Sequence, residues 1–216
     1  MRIPQPKGTK GSLMWLQRAV ERRPDLLAPS ALGAIDWVSP HRADDFAEYR
    51  DRSFLDVLGL HHLGADLAGF WPRGGPQWDG LGRLDDGVVL VEAKAHVREF
   101  MTDPSQASDA SLKVIRAAFA GVQADLGCDQ RADWTKVFYQ YANRLAHLWW
   151  LRQRGVNAHL LFVSFLGDET PGICGPAVRE TWDAAFRLAD YTLGLPSRHQ
   201  LSPFVHHSHP YVRNLR

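Results

Sequence analysis

The chain has 216 residues and a mass of 24.3 kDa, which fits one large domain better than two. Hydrophobic residues make up 45% and charged residues 23%, a balance that excludes a disordered chain and a collagen-like repeat. The formal net charge is +1, so any contact with nucleic acid must come from a local patch of the surface.

The first half of the chain predicts an N-terminal segment followed by a helix. Prolines and glycines in the first dozen residues indicate a loose arm, and Ser12 can cap a short helix that Pro24 ends. Residues 24–41 predict a connection, and a helical period returns over residues 43–60. We therefore expect a single globular domain overall, with residues 1–42 as an N-terminal arm and short helix and residues 43–216 as the main domain.

The second half of the chain alternates between strand and helix patterns. The predicted strands are 78–84, 87–96, 158–166 and 204–212; the predicted helices are 111–126, 133–153 and 177–193; the predicted loops are 70–77, 102–111 and 167–175. This order predicts an α/β protein with a central mixed β-sheet flanked by helices.

Other classes of protein are excluded by what the sequence lacks. The two cysteines, Cys128 and Cys174, are too few for a disulfide framework or a four-thiolate zinc site. No stretch approaches the roughly 18 consecutive apolar residues of a membrane helix, and no apolar run of signal-peptide length follows the basic N-terminus. We therefore expect a cytoplasmic protein with no membrane partner.

The strand Val88 to Lys94 carries an unusual charge pattern. Side chains alternate between the faces of a strand, so Glu92 and Lys94 share a face with the apolar residues before them. The opposite face is wholly apolar and must pack on the core. Unpaired burial of a glutamate or a lysine costs several kcal/mol, so this half-charged face indicates a site.

The register of the hairpin decides whether Asp79 joins these two residues. An Asp86-Gly87 loop places Asp79 opposite Lys94, and an Asp85-Asp86 loop places it opposite Glu92. A three-residue loop would place Asp79 across from Ala93 and break the cluster.

Two carboxylates and one ammonium at the end of a sheet favour a hard divalent cation. Oxygen ligands select Mg²⁺ or Mn²⁺ over zinc, and the Ala93 carbonyl lies between the side chains as a further ligand for a metal held by Asp79 and Glu92. Such a metal lowers the pKa of a bound water and neutralises charge on a phosphate. Lys94 would orient or help deprotonate that water, or stabilise the pentavalent phosphorus.

This arrangement resembles the PD-(D/E)xK nuclease superfamily. Asp79 stands for the aspartate of the pattern, with Trp78 in the place of its usual proline, and Glu92-Ala93-Lys94 stands for its E-x-K element. The resemblance is sharp over residues 76–96 and only topological over residues 43–166. It implies a restriction-endonuclease-like core in the order αβββαβ, and a homodimer if both strands of DNA are cut.

The resemblance also implies accessory residues. The superfamily often places one more acid on the helix before the sheet; Glu48 is our first choice and Asp56 our second, with an ordinary Glu48–Arg52 surface pair as the alternative. Relatives similar to the RecB nuclease carry Q-x(3)-Y on the helix after the E-x-K strand; Gln140 fits, and Arg144 replaces the tyrosine.

The sequence therefore predicts a Mg²⁺- or Mn²⁺-dependent nuclease that hydrolyses phosphodiester bonds, with DNA as the expected substrate. Asp79, Glu92, Lys94, Glu48 and Gln140 are the predicted catalytic residues. Arg73, in a glycine-rich loop, and Arg144 are predicted to contact the nucleic acid. Two alternatives stay open: a catalytically silent nuclease-like domain that binds DNA or a protein partner, and an enzyme acting on another phosphate-bearing substrate.

Overall fold

A computed structural model describes residues 1–129, 131–170 and 175–215. Its strands are β1 (Arg2–Ile3), β2 (Asp36–Ser39), β3 (Glu48–Tyr49), β4 (Gly80–Arg83), β5 (Val88–Lys94), β6 (Ala158–Ser164) and β7 (Val205–Ser208). Within these ranges, five strands form one mixed sheet in the spatial order β2-β4-β5-β6-β7, and β1 pairs with β3. The first three strands of the sheet are antiparallel, whereas β5, β6 and β7 run parallel.

Helices cover both faces of this sheet, so the predicted α/β class is confirmed. They are α1 (Gly11–Arg22), α2 (Arg52–Val57), α3 (Gly64–Phe70), α4 (Val97–Phe100), α5 (Asp109–Leu126), α6 (Tyr139–Arg152) and α7 (Arg179–Thr192). Helix α1 packs against one face of the sheet, and α2, α3, α5, α6 and α7 contribute to the core on the other. Two neighbouring parallel strands must be joined by a crossover connection. Helices α5 and α6 belong to the connection between β5 and β6.

The two faces of β5 are divided as the alternating pattern predicts. Val88 and Leu90 belong to the larger core beneath α6, and Glu92 and Lys94 continue the same face. Val89, Val91 and the alanines after them belong to the smaller core beneath α1. The charged end of β5 therefore emerges on the face that carries most of the helices.

The turn between β4 and β5 fixes the register that the sequence left open. Gly80 pairs with Val91, and Leu84 N–H donates to the Gly87 carbonyl at 2.8 Å, so the two-residue loop is Asp85-Asp86. Asp79, one residue before β4, consequently lies across from Glu92. This is one of the two registers that bring Asp79 and Glu92 together.

The N-terminal half differs from the sequence-based expectation. The prediction of a loose arm is wrong for Arg2–Ile3, which pair with Tyr49 and Glu48. The segment 24–41, predicted as a connection, contains the edge strand β2. Both strands are short and pair with partners far away in the chain, so local composition does not reveal them. Gly82 permits the approach of β2, because a Cβ there would lie 2.3 Å from the Ile35 Cγ2 atom.

The helix expected over residues 43–60 is also wrong for most of its length. Asp45, Phe46 and Asp51 have φ angles of 50°, 48° and 52°, in the left-handed region that a right-handed helix cannot include. Only α2 remains α-helical, a 3-10 turn covers Arg42–Asp44, and Glu48 lies in β3. The apolar residues of this segment still face the core, so the helical period reflected burial and not a helix.

The remaining elements match the expected order with shifted ends. Helix α6 begins at Tyr139 rather than 133, because Phe138 is left-handed and the Asp133 carboxylate accepts hydrogen bonds from the Thr135 amide and hydroxyl. Residues 171–174 of the expected loop 167–175, including Cys174, lie outside the described residues. None of the helices in the described ranges is both long enough and apolar enough to cross a membrane.

Candidate functional site

An open cleft of about 650 Å³ lies at the end of β5 that carries the charges. Asp79, Glu92 and Lys94 all line it, as the hairpin argument requires. Glu48, Gln140 and Arg144 line it too, so the cleft gathers the predicted catalytic residues. The rest of its wall comes from loops on either side, with the lining residues Gly75, Pro76, Gln77, Arg98, Glu99, Met101, Thr102, Asp103, Pro104, Ser105, Gln106, Tyr139 and Asn143.

Asp79 is held at the mouth of the hairpin by the strand it faces. Its Oδ2 atom accepts a hydrogen bond from the Ala93 N–H at 2.7 Å, and this is its one hydrogen bond to the described residues. Burial raises the pKa of Asp79 well above its ordinary value, and the neighbouring Glu92 and Glu48 carboxylates raise it further. A proton or a metal ion would relieve this repulsion.

Glu92 is buried, and both of its oxygens are bound by cations. Lys94 Nζ lies 2.5 Å from Oε1, and Arg144 Nε lies 2.6 Å from Oε2. Burial alone would raise the pKa of Glu92, but Arg144 and Lys94 outweigh it and lower the pKa. Glu92 is therefore ionised at neutral pH and is the anionic centre of the site.

Lys94 reaches from the strand to the helix that crosses over it. Its Nζ atom donates to Glu92 and to Gln140 Oε1 at 3.2 Å, and its side chain is only 12% exposed. Burial lowers the pKa of Lys94, yet the carboxylates of Glu92 and Asp79 more than compensate and raise it. The amine is consequently a cation at neutral pH.

Glu48 reaches the cleft from β3 and not from a helix. Its Oε2 atom accepts hydrogen bonds from the Gln77 side chain and, at 3.2 Å, from Gln5 Nε2. Burial raises the pKa of Glu48, and the Glu92 carboxylate adds to the rise. The alternative pairing with Arg52 is wrong, because Arg52 lies 3.5 Å from Asp56 on the exposed side of α2.

Arg144 supports the site from beneath. Its side chain is 5% exposed, and it donates to Glu92, to Asn143 Oδ1 at 2.8 Å and to the Gln77 carbonyl at 2.8 Å. The guanidinium also lies 4.8 Å from the centre of the Trp78 ring. With these contacts it fixes Glu92, and its predicted contact with a phosphate stays a prediction.

Arg73 lies apart from the other predicted residues. It is exposed in the loop between α3 and β4, and it lines two smaller cavities beside the cleft. Those cavities adjoin the cleft through Gly75, Ser105, Gln106 and Tyr139. Its contact with nucleic acid therefore stays a prediction, and such a contact would lie beside the cleft and not inside it.

The chemistry of the donor set fits a hard divalent cation. Asp79 keeps one carboxylate oxygen without a partner in the described residues, and Glu92 and Glu48 supply further oxygens in the same cleft. Across residues 1–129, 131–170 and 175–215, no three His, Cys, Asp or Glu side chains are arranged as a metal-holding group. Asp79 and Glu92 are the carboxylates of the cleft that could hold a cation.

Sequence reasoning missed the polar residues that hold the acids in place. Gln77 links Glu48 to Arg144, and Gln5 reaches Glu48 from the N-terminal segment. Gln77 directly precedes Trp78-Asp79, a position that could have drawn attention to it. Gln5 gives no such signal, because it is 43 positions away from its partner.

Comparisons of this chain with models of protein families, with curated proteins and with solved structures find no match.

Proposed function

We propose that this protein is a metal-dependent nuclease of the PD-(D/E)xK type that hydrolyses phosphodiester bonds of nucleic acid, with DNA as its substrate. One observation carries the proposal: Asp79, Glu92 and Lys94 line a single open cleft at the end of a buried hairpin. A surface salt bridge would need no cleft and no second acid.

The order of the elements supports the same proposal. Helix α1 precedes three antiparallel strands, β2, β4 and β5, and the crossover helices then lead to the parallel strand β6. This order is compatible with the αβββαβ core that the resemblance implies. Asp79 directly precedes β4 and Glu92 lies on the neighbouring strand β5, an arrangement similar to the superfamily's pattern of acids.

The charge of the cleft supports a role for a cation in binding substrate. Acidic side chains outnumber basic ones along its lining, so the metal-free cleft repels a phosphate backbone. A divalent cation held by Asp79 and Glu92 would neutralise that charge and, when bound, would lower the pKa of a water molecule near the phosphate.

The protein's own groups have separate tasks in this mechanism. Lys94 is a cation, so it stabilises the negative charge that develops on the phosphate and is not the base. Gln140 orients the Lys94 amine by accepting its second hydrogen bond. Glu92 is ionised at neutral pH, and the raised pKa of Asp79 lets a proton compete with the cation for its carboxylate, so metal binding should be stronger at higher pH.

The test is hydrolysis of DNA in Mg²⁺ or Mn²⁺ by the wild type and by Lys94→Ala and Asp79→Ala. We expect cleavage by the wild type only, with each variant slowed by at least about a hundredfold because a preorganised charge is lost. Lys113→Ala, on the exposed side of α5, is the matched control and should cleave normally. Unchanged activity in both site variants would contradict the proposal.

One observation favours the second candidate, a catalytically silent nuclease-like domain. Both oxygens of Glu92 are already bound by Lys94 and Arg144, so the buried charge is balanced without a metal. Calorimetric titration with Mn²⁺ separates the two candidates. A silent domain binds no Mn²⁺ at the hairpin, while the nuclease binds Mn²⁺ and loses that binding in Asp79→Ala.

A further inference from the structure

A second cavity of about 210 Å³ lies next to the cleft, between the start of α2 and the loop that precedes β4. We call it the side pocket and define it by its lining: Asp51, Arg52, Gly64, Leu67, Ala68, Trp71, Pro72, Arg73, Gly75 and His147. It is smaller than the roughly 300–1,000 Å³ of sites for drug-sized ligands, so its volume suits a single small ring system.

His147 places one hydrogen-bond acceptor in this pocket. The ring is buried, and its Nδ1 atom lies 2.8 Å from the Asn143 carbonyl, so Nδ1 must carry the hydrogen. Burial lowers the pKa of His147 to about 3, which keeps the ring neutral. Its Nε2 atom therefore has a lone pair, and no group of the described residues donates to it.

The Nε2 atom of His147 lies close to Gly75. A Cβ atom on Gly75 would lie 3.7 Å from His147 Nε2 and 3.3 Å from Trp71 Cδ1. Gly75 lines both the cleft and the side pocket, so the two cavities adjoin at this residue. Asp51 fixes this loop, because its Oδ1 atom accepts the N–H groups of Gly74 and Gly75 at 3.0 and 2.9 Å.

The walls and the rim of the pocket differ in character. Leu67, Trp71 and Pro72 give apolar walls, whereas Arg73 is exposed at the rim and has no hydrogen-bond or ion-pair partner in the described part of the chain. A flat ring with an N–H donor suits the interior, and a phosphate attached to it suits the rim.

We propose that the side pocket binds one unpaired base of the nucleic acid that occupies the cleft. The base donates an N–H to His147 Nε2 and contacts the apolar wall, and the adjoining phosphate lies at Arg73. Because a paired base cannot enter, the preferred substrate has a single-stranded or extruded nucleotide next to the bond that is cut. The proposal rests on the proposed nuclease function for its substrate.

Binding of isolated bases tests the pocket without metal or cleavage. In NMR titrations we expect 9-methyladenine, which carries an amino donor, to bind at least about tenfold more tightly than 9-methylpurine, which has no N–H. Ala68→Phe, which fills the pocket from the exposed side of α3, should abolish this binding. Ala65→Phe, on the same helix and outside the pocket lining, is the matched control and should bind as the wild type does.

His147→Phe tests the acceptor itself. It keeps an aromatic ring in the core and should remove the preference between the two ligands. No binding to the wild type, equal binding of both ligands by the wild type, or unchanged binding in Ala68→Phe would each overturn the proposal, and none of these outcomes depends on the folding of His147→Phe.

A single-stranded oligonucleotide that lacks one base connects the pocket to the cleft. We expect an abasic nucleotide beside the cleaved bond to weaken binding by about tenfold in the wild type and to have no effect in Ala68→Phe. Equal affinity for both oligonucleotides in the wild type would overturn the proposal. If isolated bases bind as expected but no DNA is cleaved with any metal, the nuclease function fails and the base-binding pocket stands.

Discussion

At the scale of single residues, Asp79 combines an unfavourable charge with a well-ordered position. Burial and the nearby Glu92 and Glu48 carboxylates raise its pKa, so the native state holds this proton more tightly than the unfolded chain does. The contribution of Asp79 to the free energy of unfolding in metal-free buffer must then fall as the pH rises above the ordinary aspartate pKa of 3.8. At neutral pH and without metal, the protein is thus less stable than it would be with an uncharged side chain in place of Asp79.

Asp79→Asn should therefore stabilise the metal-free protein more at pH 8 than at pH 4. The amide oxygen can still accept the Ala93 N–H, while the ionisation that costs free energy is removed. Urea unfolding in the presence of a chelator at both pH values measures the difference. Glu21→Gln, an exposed carboxylate of α1, is the control and should show no such pH dependence; an equal effect of Asp79→Asn at both pH values would contradict the assignment.

The contact between Arg144 and Glu92 should be strongly cooperative. Removing one partner of a buried pair leaves a charge uncompensated, so we expect Arg144→Met to lower the free energy of unfolding by about 3–5 kcal/mol. A double-mutant cycle with Glu92→Gln should show that the two losses are far from additive. Additivity within about 0.5 kcal/mol would mean that the two residues act independently.

The sequence predicted which residues meet in the cleft better than it predicted how they are held. Asp79, Glu92 and Lys94 follow from strand alternation and a short turn, which are local rules. The place of Glu48 on a strand does not follow, because it depends on pairing with Arg2–Ile3, more than forty positions away. The Arg144–Glu92 contact likewise depends on how α6 crosses the sheet.

At the scale of elements, the strands and helices of the second half of the chain were predicted, and the short strands of the first half were not. Strands β5 and β6 and helices α5, α6 and α7 carry enough residues for a period to be visible. Strands β1, β2 and β3 have at most four residues each, and their formation is decided by partners elsewhere in the sheets. Left-handed residues such as Asp45 and Phe46 end the apparent helix without any glycine or proline to announce it.

Replacement by alanine should have opposite effects on stability at Gly121 and at Gly87, because the space around the two glycines differs. Gly121 is exposed in α5 with open space around it, so Gly121→Ala should raise the free energy of unfolding by about 0.5–1 kcal/mol. A Cβ on Gly87 would lie 2.1 Å from the Asn157 carbonyl oxygen, so Gly87→Ala should lower it by about 1–3 kcal/mol. Denaturant melts of both variants decide this, and effects of the same sign would contradict the packing of the β5 turn.

At the scale of the whole molecule, buried neutral histidine makes the fold sensitive to acid. The pKa of His147 falls to about 3 in the native state, so below pH 6.5 the unfolded chain takes up a proton that the folded chain does not. Stability from this residue is complete above that pH and is lost as the pH falls towards about 3. The raised pKa values of Asp79 and Glu48 act in the opposite direction and offset part of this loss.

His147→Phe isolates this contribution. We expect the variant's free energy of unfolding to fall less steeply with acid, by up to about 1.4 kcal/mol per pH unit between pH 6 and pH 4. The exposed His62→Phe is the control and should follow the wild type. Parallel stability curves for the wild type and His147→Phe would mean that the buried ring is protonated in the native state.

The position of a bound cation tests the central claim most directly. Anomalous diffraction from crystals soaked in Mn²⁺ locates the ion without any assumption about the reaction. We expect a peak in the cleft between the Asp79 and Glu92 carboxylates, and no peak there in crystals of Asp79→Asn. A cleft without Mn²⁺ at saturating concentration, or a peak that persists unchanged in Asp79→Asn, would contradict a metal-dependent site at this hairpin.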